Sequence, residues 1–383
     1  MTREPTQAPT GGAALARALR ACLAWERGEP AAGASWPAGA SLQVAVDAHH
    51  VAPVVAPWRA RLELAPVDES WLEAEQQRNA HRALAAARQL VELVAALGAA
   101  DIRVMILKGI PLALRTTGNL AGRHCGDIDV LVDAGDLAAT DRVMRSLGYD
   151  SDLGPARSPL VDPYRRWILA MDSHHSYTAP DRRPVEVHWQ VTTHELLPLP
   201  FDEVWRDRVA VSVAGVDVAI LPDVHDRLYV IVHAAKHHFT RLTWLVDVAR
   251  LLTDVPEAGW LATSALAHRL GLAVALEASV GMAARLVTQP LLAVPGLSPP
   301  ERRRAGRLTE SMWSICLLGD EGAAQQLLLS LRLRRGVRYR AGLIAASAAP
   351  TGLLDHGGSQ LARPFRKVPG LAQRMVDRAT TSR

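Results

Sequence analysis

Asp127 and Asp129 stand one residue apart in "RHCGDIDVLVD", Arg123 to Asp133, inside an otherwise apolar run. Alternation along an extended strand sends residues i and i+2 to one face, so both carboxylates point together while Ile128, Val130 and Val132 point the other way. Like charges that close repel unless something positive lies between them. In "PVEVHWQV", Pro184 to Val191, the same alternation puts Glu186 and His188 on one face and Val185, Val187 and Trp189 on the other. If the two strands are neighbours in one sheet, Glu186 joins the aspartates. Three carboxylates on rigid strands are the donor set of one or two Mg²⁺ ions, with Mn²⁺ as a substitute. Such a site polarises a phosphoryl oxygen and activates a hydroxyl in line with the leaving group. A lone pair of aspartates at a strand end also suits solvation or pairing with arginine. The third carboxylate and the Lys108–Gly109 dipeptide upstream are what favour the metal.

The elements that must position these groups follow from periodicity. "IRVMILKG", Ile102 to Gly109, is a short apolar run closed by glycine, as for a buried strand, and "PLALRTTG" reads as a helical turn after it. "DIDVLVD" is the second strand and "AGDLAATDRVMRSLGYD" a helix ending at Gly148. "SHHSYTA" and "PVEVHWQV" form a hairpin across "PDRR", and "VAVSVAGVDVAIL" forms another that turns at Gly215. Upstream, "DESWLEAE" has capping-box spacing in Ser70 and Glu73, and the helix it starts runs to about Leu97, with Leu90, Val91, Val94 and Leu97 as its apolar stripe. From Asp223 onward the chain reads helical. The order predicts an α+β fold, a small mixed sheet flanked by N-terminal and C-terminal helical regions. The expected division is a disordered tail at 1–12, an N-terminal helical region at 13–98, the α/β core at 99–222, and a C-terminal helical region with a basic tail at 223–383.

Composition narrows the class. At 383 residues, 49% hydrophobic and 21% charged, the chain is an ordinary globular one with room for several subdomains. Residues 301–383 hold fifteen Lys/Arg against six Asp/Glu, so the formal charge of +4 is concentrated at the C-terminal end. A basic part like this suits an acidic partner, RNA included, or simply a solvated helical surface. Cys22, Cys125 and Cys316 lie far apart, which excludes a disulfide framework and a thiolate zinc site and fits a cytoplasmic protein. No apolar leader opens the chain, and "AGLIAASAAPTGLL" is too short and too interrupted by Pro350 for a membrane span.

The combination "ILKGIPLALRTTGNLAGRHCGDIDVLVD", "LGYD" and "HHSYTAPDRRPVEVHWQV", followed by "HAAKHHFTRLTWLVDVARLL", resembles the uncharacterised bacterial nucleotidyltransferases of the DNA polymerase β superfamily. The likeness covers roughly residues 45–255. It implies a nucleotidyltransferase core, an NTP (ATP by default) as donor substrate, and Asp127, Asp129 and Glu186 as metal ligands, with Glu186 as ligand or base. It further implies that Gly109 occupies the turn that grips the nucleotide phosphates and that Lys236 reaches the triphosphate. One departure stands out: Ile110 follows Gly109 where the family pattern has Ser or Gly. Lys108 and Arg123 are then the candidate replacements for that contact, unless each is an ion pair holding the strand end.

Other motifs carry less. His233 and His237 have the i, i+4 spacing of a zinc protease, but Ala234 stands where its glutamate would be. His225–Asp226 suggests a metal phosphohydrolase doublet, yet it sits where Asp223 or Asp226 would cap a helix. Trp244, Leu245 and Leu251 read as core, and Asp247 with Arg250 as an i, i+3 pair. Aspartates beside Cys125 argue against a nucleophilic thiolate. Neither a P-loop nor a G-x-G-x-x-G occurs. The expected activity is Mg²⁺-dependent transfer of NMP from an NTP, with pyrophosphate release, to a small-molecule, peptide, protein or RNA acceptor. A catalytically silent nucleotide-binding scaffold and an RNA-modifying toxin are the competing classes.

Overall fold

The computed structural model describes residues 11–33, 35–36, 41–151, 172–318 and 322–348. Helices α1 (Gly12–Glu26), α2 (Leu42–His49) and α3 (Ala52–Val55) lead to the 34-residue α4 (Pro66–Ala99). Then come β1 (Val104–Leu107), α5 (Gly109–Thr117), β2 (Ile128–Val132), α6 (Leu137–Ser146), β3 (Asp150–Ser151), β4 (His174–Thr178) and β5 (Val185–His188). After α7 (Phe201–Arg206) the hairpin β6 (Val209–Val213) and β7 (Val216–Ile220) completes the sheet. Helices α8 (Asp223–Lys236), α9 (Leu242–Thr253), α10 (Glu257–Arg269), α11 (Ala273–Ala283), α12 (Pro299–Leu318), α13 (Ala323–Leu333) and α14 (Val337–Ala348) follow.

The seven strands form one mixed sheet in the order β3-β4-β5-β2-β1-β7-β6. The hairpins β4–β5 and β6–β7 are antiparallel, as expected, and β2 lies between antiparallel β1 and parallel β5. Each face of the sheet has its own core. Ile106, Ile128, Val130, Val132, Val185 and Val187 pack under the Ala83, Ala86, Ala87, Leu90, Leu93 and Leu97 face of α4. Full burial of each large aliphatic side chain there stabilises the fold by about 1.5–3 kcal/mol. Met105, Leu107 and Leu131 face the other way, into a cluster shared with α1, α8, α9 and the C-terminal helices. The mixed α+β architecture with helices on both sides is therefore as the sequence predicts.

Several local expectations change. Helix α4 starts four residues before Ser70, with Pro66 in its first turn and Asp68 and Glu69 beside the positive helix end. Pro66 has no N–H to satisfy there, so the start needs no capping box, and Leu93 replaces Val91 and Val94 at the centre of the buried stripe. Residues 1–10 of the expected tail lie outside the described residues, but Gly12 already belongs to α1. A Cβ at Gly12 would sit 2.6 Å from the Leu317 carbonyl oxygen, so only glycine lets α1 and α12 approach so closely. The basic tail beyond 348 also lies outside the described residues. Among those described, no helix is long and apolar enough to cross a membrane.

The turn from β1 into α5 accounts for Ile110. Lys108 (φ 41°, ψ −139°) and Gly109 (φ 60°) both take positive φ, which costs a non-glycine residue about 1–3 kcal/mol. The reversal rotates Ile110 away from the β2 carboxylates and into the core beneath α4, where it is 2% exposed. Ile110→Ser is therefore expected to lower stability by about 2–4 kcal/mol in urea unfolding and to leave nucleotide affinity per folded molecule unchanged.

Candidate active site

The sheet register assembles the carboxylates. Parallel pairing sets Asp129 beside Glu186, and Asp127 lies just ahead of β2. One oxygen from each of Asp127, Asp129 and Glu186 lies within 4.8 Å of the others. Antiparallel pairing of β1 sets Leu107 opposite Asp129, so the next residue, Lys108, places its Nζ 2.8 Å from Asp129 Oδ2. This is an ion pair without a well-directed hydrogen bond, and the buried Oδ2 keeps unused acceptor capacity. His188 Nε2 lies 3.2 Å from Asp129 Oδ1 and 3.4 Å from Glu186 Oε2. Burial opposes a charge on His188, but the two carboxylates outweigh it and hold its pKa above the ordinary value. Burial likewise opposes the Glu186 charge, yet His188, His174 and Lys108 keep it well below the usual carboxylate range. Three hard oxygen donors, one of them a buried and under-satisfied carboxylate, fit a divalent ion of the Mg²⁺ class.

Helices α8 and α9 build the opposite wall of a cleft of about 280 Å³. Its cations are Lys236 and Arg241, and its aromatic surface is Trp244, with His237 stacked at 4.8 Å and His233 edge-on at 5.7 Å. Lys236 forms no salt bridge among the described residues. Burial and the nearby charge of Lys108 push its pKa down to about 8. An ammonium held this way gains most from an anionic ligand. Tyr229 also lines the cleft, and burial holds its phenol strongly un-ionised. His50 and His124 also line the cleft and stack at 4.5 Å with rings 15° apart.

The profile of the uncharacterised nucleotidyltransferase family matches residues 40–288, well over half of the chain and every residue of this cleft named above. The chain belongs to that family. No curated protein and no solved structure matches it. In this member of the family the carboxylates, Lys108 and Lys236 share one cleft. Gly109 sits at the turn beside it, with open space where a Cβ would be.

Arg123 reaches the same cleft but is committed elsewhere. Its Nε lies 3.0 and 2.9 Å from the two oxygens of Asp247, and its Nη1 donates to the His124 carbonyl at 3.0 Å. Asp247 is therefore not the partner of Arg250, which pairs with Glu26 at 2.9 Å. Nor do Asp223 and Asp226 cap α8: both bind Arg115, which ties α5 to α8. Trp244 is a cleft wall rather than plain core, and Leu245 is core. The Cys125 thiol pKa is raised chiefly by burial rather than by the neighbouring aspartates. His174 carried no role in the sequence reading, although counting back from the "PDRR" turn pairs it with His188.

Two predictions follow from these contacts. The Arg123–Asp247 pair is buried, so Arg123→Met or Asp247→Leu alone should cost about 3–5 kcal/mol in urea unfolding. The double variant should recover much of that loss; additive losses would show that the pair is not coupled. Separately, burial pushes His49, His175 and His238 down to about 4, so the folded protein refuses protons that the unfolded chain takes up below about 6.5. Their stabilising contribution is complete above pH 6.5 and is lost as pH falls towards 4, by up to about 1.4 kcal/mol per pH unit for each group. Urea midpoints between pH 7 and 5 should fall accordingly, and His175→Gln should make the slope shallower.

Proposed function

We propose that this protein transfers a nucleoside monophosphate from an NTP to an acceptor and releases pyrophosphate, using a Mg²⁺-class ion in a core of the DNA polymerase β type. The observation that carries this is one cleft with two opposed sets of charge. Three carboxylates on adjacent strands face Lys236, an ammonium with no salt-bridge partner among the described residues, on the helical wall. Asp127, Asp129 and Glu186 would hold the ion, which supplies polarisation of the phosphoryl oxygens and neutralisation of their charge. Lys236 and Arg241 pair with the polyphosphate and hold it in one orientation, so catalysis is positional and electrostatic. Lys108 balances the carboxylates from beneath rather than gripping phosphate, and Arg123 braces the strand lead against α9. The lowered proton affinity of Glu186 suits a ligand better than a general base. The buried position of Ile110 removes the main reason for reading the site as a silent scaffold.

The acceptor is open to a small molecule, a peptide or protein, or an RNA end, because the parts that would contact it are the helical regions flanking the sheet, which carry no acceptor motif. Labelled NTPs incubated with cell extract and Mg²⁺ provide the assay. Asp129→Asn should keep the fold by circular dichroism and reduce label transfer on the order of 10²–10³-fold. Lys236→Met should raise KM for the NTP about 10–100-fold, as expected for one charge-assisted contact. Transfer that persists with all divalent ions chelated overturns the proposal.

A further inference from the structure

The three carboxylates do not exhaust the donors on this face of the sheet. Strands β4 and β5 pair with His174 opposite His188, and Glu186 precedes His188 by two residues on the same face. Glu186 Oε2 thus has two imidazole nitrogens beside it, His188 Nε2 at 3.4 Å and His174 Nε2 at 3.7 Å. Both distances exceed the N–H···O optimum of about 2.9–3.0 Å. Bonds of about 2.0–2.2 Å to histidine nitrogen and carboxylate oxygen set neighbouring corners of a tetrahedron around a metal about 3.3–3.6 Å apart. The His188 distance falls in that range and the His174 distance, at 3.7 Å, just beyond it.

We propose that His174, His188 and Glu186 form a second divalent-metal site, sharing Glu186 with the aspartates and taking a transition ion of the Zn²⁺ class. One ligand atom from each of the three residues lies within 4.8 Å of the others. Two nitrogens and one oxygen select against Mg²⁺, which requires oxygen ligands and octahedral geometry, and favour ions that accept imidazole. The two rings stack at 4.8 Å and 30°, and the Nε2 of each lies near the same Glu186 oxygen. His174 Nδ1 lies 3.3 Å from Ser173 Oγ, the outer hydrogen bond that orients a ligating imidazole and leaves Nε2 for the ion. All three side chains line the cleft, which leaves a fourth position open to water or substrate. The site rests on its donor geometry and does not depend on nucleotidyl transfer.

The test is a Co²⁺ titration of the full-length, chelator-stripped protein. High-spin Co²⁺ absorbs strongly in the visible when four-coordinate with histidine and weakly when six-coordinate with oxygen alone. A strong band at one equivalent is expected, displaced by Zn²⁺ and retained in Asp127→Asn. His174→Ala and His174→Gln should each weaken the apparent Co²⁺ affinity about tenfold or more. Zn-edge X-ray absorption on the unmodified protein should show nitrogen in the first shell, which needs no variant to fold. An oxygen-only shell overturns the proposal. So does an affinity unchanged in both folded His174 variants, or a band lost in Asp127→Asn but kept in them. Loss of NTP transfer in Asp129→Asn alongside any of these results leaves the nucleotidyltransferase reading standing, so the two can fail separately.

Discussion

Everything in this cleft depends on the charge balance around Asp129. Two unit charges about 4 Å apart interact by about 4 kcal/mol at an effective dielectric near 20, so three clustered carboxylates must be compensated from nearby. Lys108 does this from the end of β1, and so does His188 from β5 while it is protonated and holds no metal ion. Both depend on register. A slip of one residue in β5 would send Glu186 into the valine-lined core and bring Val185 or Val187 to the site. The unusual backbone at Lys108 belongs to the same solution, since the turn between β1 and α5 brings its ammonium to Asp129.

The helical wall is fixed to the sheet by ion pairs of long sequence separation. Arg123 to Asp247 joins the lead into β2 to α9, and Arg115 to Asp223 and Asp226 joins α5 to α8. With those pairs in place, α8 and α9 present Lys236, His237 and Trp244 to the carboxylates as a set wall rather than a loose cover. The span matched by the family profile ends at residue 288, and beyond it α12, α13 and α14 pack on the same core as α1.

Much of this was legible in the sequence because strand alternation has a period of two and leaves little freedom. "DIDVLVD" and "VEVHW" gave the inward valines and the outward carboxylates directly, and "PDRR" and Gly215 marked the two hairpins. The placement of β5 beside β2 came from the resemblance rather than from periodicity, as did the interest of Lys236. What could not be read depends on partners far along the chain. Arg123 stayed open between a phosphate contact and an ion pair at the strand end because Asp247 lies 124 residues away, and a local i, i+3 rule gave Asp247 to Arg250 instead. The start of α4 was misplaced because a proline in the first turn competes with a capping box and nothing local decides between them. Ile110 looked like a lost contact because the rotation at Lys108 and Gly109 is not visible in composition.

The central claim is that the carboxylate cluster and the cationic helical wall together bind a nucleoside triphosphate through a divalent ion. Calorimetric titration of ATP, and then the other NTPs, into the full-length protein with Mg²⁺ and with chelator tests it most directly. The account predicts saturable binding of at least one NTP that requires Mg²⁺ and is lost when Asp127 and Asp129 are both replaced by Asn. Binding equally tight with the ion removed or in that folded double variant, or no binding of any NTP, would contradict it.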